Sequence, residues 1–168
     1  MSTNLEKVLS SSYKKQMVLY ISSHPESFDE LLALALNNNS KLSWRAAWMI
    51  HHFMHDNDVR LQKHIKKMIT LLPDVNESSQ REFLKIISRM NIYNKDEGIL
   101  FNHCISIWEK INKSSSIRYH AIKTVMRIAH KYPELTNEID FFLQDHYLET
   151  LSPAIRKILI REIHHFAK

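Results

Sequence analysis

One glycine, Gly98, stands in a chain of 168 residues, where average usage of about 7% would place roughly a dozen. Glycine supplies positive φ and close backbone approach. Tight hairpins, phosphate-cradling loops and dinucleotide fingerprints are built on those two properties. A β-rich fold, a P-loop enzyme and a Rossmann enzyme are therefore excluded. Asparagine is expected to take over the turns, at Asn37 to Asn39, Asn57, Asn76, Asn91, Asn94 and Asn112. It tolerates left-handed backbone best after glycine.

Cysteine is as scarce. The single Cys104 leaves no intramolecular disulfide, which suits a reducing cytosol. The longest apolar run, Leu31 to Leu36, falls far short of the roughly 20 residues that span a bilayer. Met1 to Lys7 carries no apolar core of signal-peptide length. No Ser/Gly linker or break in composition divides the chain. The expectation is one soluble, cytoplasmic domain over residues 1–168, monomeric and without membrane contact. Twenty-three Lys and Arg against eighteen Asp and Glu give a formal charge of +5. That balance is compatible with a polyanion partner and equally with ordinary solubility.

What is present is a repeat. Arg45, Arg81, Arg118 and Arg156 recur at steps of 36, 37 and 38 residues (45 to 81, 81 to 118, 118 to 156). Each opens a helical run, as in Trp44-Arg45-Ala46-Ala47-Trp48 and Ile117-Arg118-Tyr119-His120-Ala121. Six or seven residues earlier stands Asn39, Asp74, Asn112 or Glu149. A period in the high thirties with two helices per unit marks a helical repeat array. Apolar spacing at three and four residues gives nine or ten helices. The clearest stripes are Leu61-Ile65-Met68-Ile69-Leu72, Leu100-Cys104-Ile107-Trp108-Ile111 and Leu135-Ile139-Phe142-Leu143. Ser27 with Glu30 and Ser79 with Glu82 read as capping boxes, and Ser152-Pro153 as a cap followed by a first-turn proline. The pairs then run 12–23 with 26–37, 42–55 with 58–72, 78–91 with 96–112, and 115–131 with 134–148, closed by a helix at 153–167.

These units resemble HEAT repeats, from about Ser12 to Phe166. The resemblance implies an all-α, right-handed α-α superhelix, a solenoid of four to five helical pairs. It also implies a ladder in which Arg45, Arg81, Arg118 and Arg156 bond Asn39, Asp74, Asn112 and Glu149 or their neighbours, a structural role. The HEAT-like DNA alkylation-repair proteins are a distant architectural likeness. Their cleft pairs a tryptophan with an aspartate one turn on. Here the residues one turn after Trp44, Trp48 and Trp108 are Trp48, His52 and Asn112, so the activity is not carried over.

Candidate chemistry is thin. His51 and His55 stand one helical turn apart and could share a metal with Asp56 or Asp58. The zinc-protease signature requires a glutamate where His52 stands, and eleven histidines make chance pairs common, so no metal is assigned. His164-His165 is an adjacent pair facing different directions. Cys104 lies on an apolar stripe, and its neighbour His103 faces elsewhere. Asp29-Glu30 and Asp96-Glu97 suit first helical turns through the macrodipole alone. No catalytic residue and no cofactor is assigned, and the chain reads as a non-enzyme.

Binding residues are easier to nominate. Trp44 and Trp48, one turn apart with His52 beyond, are either an aromatic platform or core filling between repeats. The helices carrying the repeated arginines also carry Lys85 with Arg89, Lys123 with Arg127, and Arg161 with His165. Stacked repeats would align these pairs into a basic stripe. The first functional reading is a scaffold that binds a protein or peptide in a concave groove. The alternative is sequence-tolerant nucleic-acid binding along the stripe. Exposed aromatic and aliphatic groups would favour the first, and a mainly cationic surface the second.

Overall fold

The computed structural model describes residues 3–166, the side chains of 136–138 and 166 excepted. The chain is all-α, and the described residues hold no strand. It separates into two compact units, Met1–Asn91 and Ile92–Lys168. No described helix is long and apolar enough to cross a membrane.

The first unit contains α1 (Asn4–Ser11), α2 (Lys14–Ser23), a 3-10 turn (Pro25–Ser27), α3 (Phe28–Ala35), α4 (Ser43–Phe53), α5 (Val59–Gln62), α6 (Ile65–Leu71) and α7 (Glu77–Ser88). α4 packs on α3 and on α7, and α6 packs on α7. Met49, Ile50, Leu61, Met68 and Phe83 are fully buried in this core. Ala46 and Ala47 are buried as well, and such small side chains let α4 approach its neighbours closely. The sequence period reappears as hydrogen bonds. Ser43 Oγ meets Ser79 Oγ at 3.1 Å, and Asn38 Nδ2 donates to the Asp74 carbonyl at 3.1 Å, each across 36 residues.

The second unit contains α8 (Asn94–Glu109), α9 (Ser115–Ala129), a 3-10 turn (Pro133–Leu135), α10 (Thr136–Phe142), α11 (Asp145–Leu148) and α12 (Pro153–Phe166). α9 packs on α8, α10 and α12. Cys104, Trp108, Ile117, Ile122 and Leu159 fill the core. Arg118 is fully buried among them. Its guanidinium donates to the carbonyls of Trp108 (2.9 Å) and Tyr147 (3.2 Å) and to Thr150 Oγ1 (2.6 Å). It also lies 4.6 Å from the centre of the Trp108 ring. The indole N–H of Trp108 donates to the Phe142 carbonyl at 2.8 Å. The buried carboxylate of Glu97 accepts from Tyr132 Oη (2.8 Å) and Lys131 Nζ. Burial acts to raise the Glu97 pKa, but those two donors outweigh it and hold the carboxyl below the usual range.

Several expectations need correction. Arg45, Arg81 and Arg118 use other partners than those expected, and the Arg156 side chain bonds no described residue. Arg45 donates to the carbonyls of Ser12 (2.7 Å) and Ser10 (3.3 Å), and Arg81 to Glu82 at 3.0 Å. The turn residues nominated for Arg81 and Arg118, Asp74 and Asn112, are exposed. The packing groups three of the arginine-bearing helices with the helix before them, α3 with α4, α6 with α7 and α8 with α9, while α12 packs on α9. The expected pairs are thus displaced by one helix.

The expected helix at 58–72 is interrupted between α5 and α6, where His64 N–H bonds Leu61 across three residues. The expected helix at 134–148 is likewise divided into α10 and α11. α1 precedes the first element expected, opened by a capping box of Thr3 with Glu6. Neither expected capping box forms. Ser27 makes no side-chain cap. Ser79 lies inside α7, which Asn76 caps instead. Residue 167, expected in the last helix, lies outside the described residues. Of the asparagines expected in turns, Asn37, Asn38 and Asn76 bond through their side chains. Among the described non-glycine residues only Asn57 has positive φ, at 54°.

Candidate functional site

Residues four apart on a helix share a face, and Trp44, Trp48 and His52 follow one another this way along α4. That face is on the surface. Trp44 is 38% exposed, Trp48 half-buried and His52 exposed. The His52 ring stacks on Trp48 with centroids 5.7 Å apart and planes within 13°. Lys14 Nζ stands 5.5 Å from the Trp48 ring centre, and the Arg45 guanidinium 5.8 Å from that of Trp44. The other side of α4 carries the buried Met49 and Ile50. Neither ring is among the fully buried side chains of the core.

His51 turns instead toward α7. Burial first, then the charges of Lys85 and Arg89, pushes its pKa down to about 4 against an opposing pull from Glu82. Its imidazole is neutral near pH 7. His55 is exposed. Asp58, a proposed companion, is engaged by Arg60 at 2.9 and 2.6 Å. That contact holds its pKa down to about 2. Among the described residues no three His, Cys, Asp or Glu side chains gather in a metal-binding group. Burial pushes the Cys104 thiol up to about 12, which removes its nucleophilic thiolate.

Of the basic pairs, Lys85, Arg89 and Lys123 have their charge engaged. Lys85 Nζ bonds the buried Glu82 carboxylate at 2.7 Å. Arg89 bonds Asp56 at 2.7 Å and the His51 carbonyl at 3.2 Å. Lys123 pairs with Glu162 at 3.0 Å, and Tyr119 Oη donates to the same carboxylate oxygen at 2.9 Å. Arg127 is half-buried within electrostatic reach of Glu97. Lys123 and Arg127 line a depression of about 280 Å³ with Met126, His130 and Glu162. Arg161 and His165 are exposed on α12.

A second depression, of about 480 Å³, lies at the start of α12. Leu151, Pro153 and Ile160 line it with Arg156, Lys157 and Arg161, and Glu149 completes its wall. The available signal was the i,i+4 register of Arg156 with Ile160 and of Lys157 with Arg161.

Helices packed on helices, joined across one sequence period by hydrogen bonds, define an all-α repeat protein. The family model described as the HEAT repeat domain matches residues 1–165, and the chain belongs to that family. HEAT repeat domains are generally non-catalytic and mediate protein interactions. No curated protein and no solved structure matches the chain. The comparisons show no likeness to DNA alkylation-repair proteins.

Proposed function

We propose that this protein is a non-enzymatic, monomeric scaffold that binds a protein or peptide partner, with the Trp44–Trp48–His52 face of α4 as a contact surface. The observation that carries the reading is the exposed Trp44 ring with the half-buried Trp48 ring one turn on, on a helix whose opposite side is core. Tryptophan is enriched among the residues that dominate binding energy at protein interfaces. The nucleic-acid alternative depends on cations free to neutralise phosphates. Lys85, Arg89 and Lys123 are instead paired with Glu82, Asp56 and Glu162.

The test is a comparison of wild-type protein with a Trp44→Ala/Trp48→Ala variant. Partners captured by the wild type are purified and their affinity for both forms measured. The expected result is a loss of at least tenfold, about 1.4 kcal/mol, in the variant. Equal affinity of both forms removes the α4 surface. Salt-sensitive binding of random duplex DNA that Lys85→Glu/Arg89→Glu abolishes would overturn the reading in favour of nucleic acid.

A further inference from the structure

We propose that the depression at the start of α12 is a docking site for an acidic peptide segment that sets an apolar side chain beside carboxylates. The proposal rests on the reading above only in taking the partner to be a polypeptide. It concerns the other compact unit and a different set of side chains.

Charge is the first argument. The side chains of Arg156, Lys157 and Arg161 make no hydrogen bond or ion pair to any described residue. Lys85, Arg89 and Lys123, by contrast, each hold a carboxylate. Three cations face the depression against the single carboxylate of Glu149. An excess of unneutralised positive charge is complementary to an acidic ligand, and a guanidinium fork matches a planar carboxylate in two parallel hydrogen bonds.

The floor decides what else the ligand carries. Leu151 is buried and Ile160 half-buried, and with Pro153 they form an aliphatic surface without a ring. Nucleic-acid bases bind by stacking on aromatic side chains, which this floor does not provide. A leucine- or isoleucine-sized side chain fits it. Glu149 points the same way, because a peptide main chain offers N–H donors to a carboxylate and a phosphodiester backbone offers none. The volume of about 480 Å³ suits a few side chains, within the roughly 300–1,000 Å³ of ordinary ligand sites.

The experiment is fluorescence anisotropy on the full chain with a labelled peptide of alternating Glu and Leu. An all-Glu peptide of equal length and oligothymidylate serve as the comparisons. The Glu/Leu peptide is expected to bind saturably, and Arg161→Glu to weaken it about tenfold. Arg156→Glu/Arg161→Glu should weaken it further, and Trp44→Ala/Trp48→Ala should leave it unchanged. Should the double variant lose helicity, Lys157→Glu, at an exposed position, reports the same charge effect on a folded chain.

No binding of the Glu/Leu peptide overturns the proposal. So does equal binding of the all-Glu peptide, unchanged affinity in Arg161→Glu, or tighter binding of oligothymidylate. Failure here with Trp-dependent partner binding intact removes the α12 site alone. Failure of both removes the scaffold reading.

Discussion

Ser43 and Ser79 stand 36 residues apart and share a buried hydroxyl–hydroxyl hydrogen bond of 3.1 Å. They occupy the matching side of α4 and α7, so one repeat period is closed by a single polar contact inside the core. A buried hydroxyl left without its partner costs about 1–3 kcal/mol, whereas removal of both partners is nearly neutral. Ser43→Ala and Ser79→Ala should each destabilise by more than the double variant does. Chemical denaturation of all four forms of the cycle checks this, and strictly additive losses would refute the contact.

Core and surface should separate in a second pair of variants. Leu159 is fully buried and its replacement by alanine should cost about 3–5 kcal/mol, the range for a buried large-to-small change. Trp48→Ala should cost clearly less, since the ring is only half-buried. Urea midpoints at constant slope give the comparison. An equal loss at both sites would return Trp48 to the core.

His51 makes stability depend on pH. Its folded pKa is about 4 against an ordinary 6.5, so the unfolded chain binds the proton more readily. The group's contribution is complete above about pH 6.5 and declines as pH falls from there toward 4, with stability rising with pH across that window. Allowing for solvent screening of a part-exposed ring, the effect is about 1–2 kcal/mol. Denaturation at pH 7.5 and pH 5 should show a smaller difference in His51→Gln than in the wild type. An identical pH dependence in the two would contradict the assignment.

Gly98 is exposed in α8, and a β-carbon built there meets nothing within 4 Å. Its φ is not positive, so alanine fits without strain. Gly98→Ala should stabilise by about 0.5–1 kcal/mol through helix propensity and reduced freedom of the unfolded chain. Thermal unfolding shows this as a rise of a few degrees. A fall in midpoint would mean that the open space is taken up by something unaccounted for.

Cys104 should be inert while the chain is folded, because its thiol is fully buried and titrates only near pH 12. A thiol-specific reagent such as DTNB is expected to label it in denaturant and not in buffer at pH 8. Rapid stoichiometric labelling of the native protein would reopen the question of thiol chemistry.

The apolar periodicity carried most of the fold. Every member of the Leu61–Leu72 stripe is buried, although Leu61 lies on α5 and Ile65, Met68 and Ile69 on α6. The repeat arginines located the architecture but not their own bonds. Arg118 bonds residues 29 and 32 positions ahead of it, a separation that local patterns do not encode. The capping boxes misled for a related reason. Ser79 and Glu82 have the right spacing, yet Asn76 takes the cap and Glu82 turns to Lys85. That ion pair, three residues apart on one helix, was legible. The pairing of Lys123 with Glu162, joining α9 to α12, was not, nor was the free charge around Arg156.

The clasp of Arg118 has a consequence for how such a chain drifts. Two of its three acceptors are main-chain carbonyls, those of Trp108 and Tyr147, and Arg45 likewise holds the carbonyls of Ser10 and Ser12. A carbonyl is offered by every residue type. The arginine therefore recognises the course of the neighbouring chain and not the letters written along it. A turn residue exchanged for another that keeps the course of the chain leaves these acceptors in place.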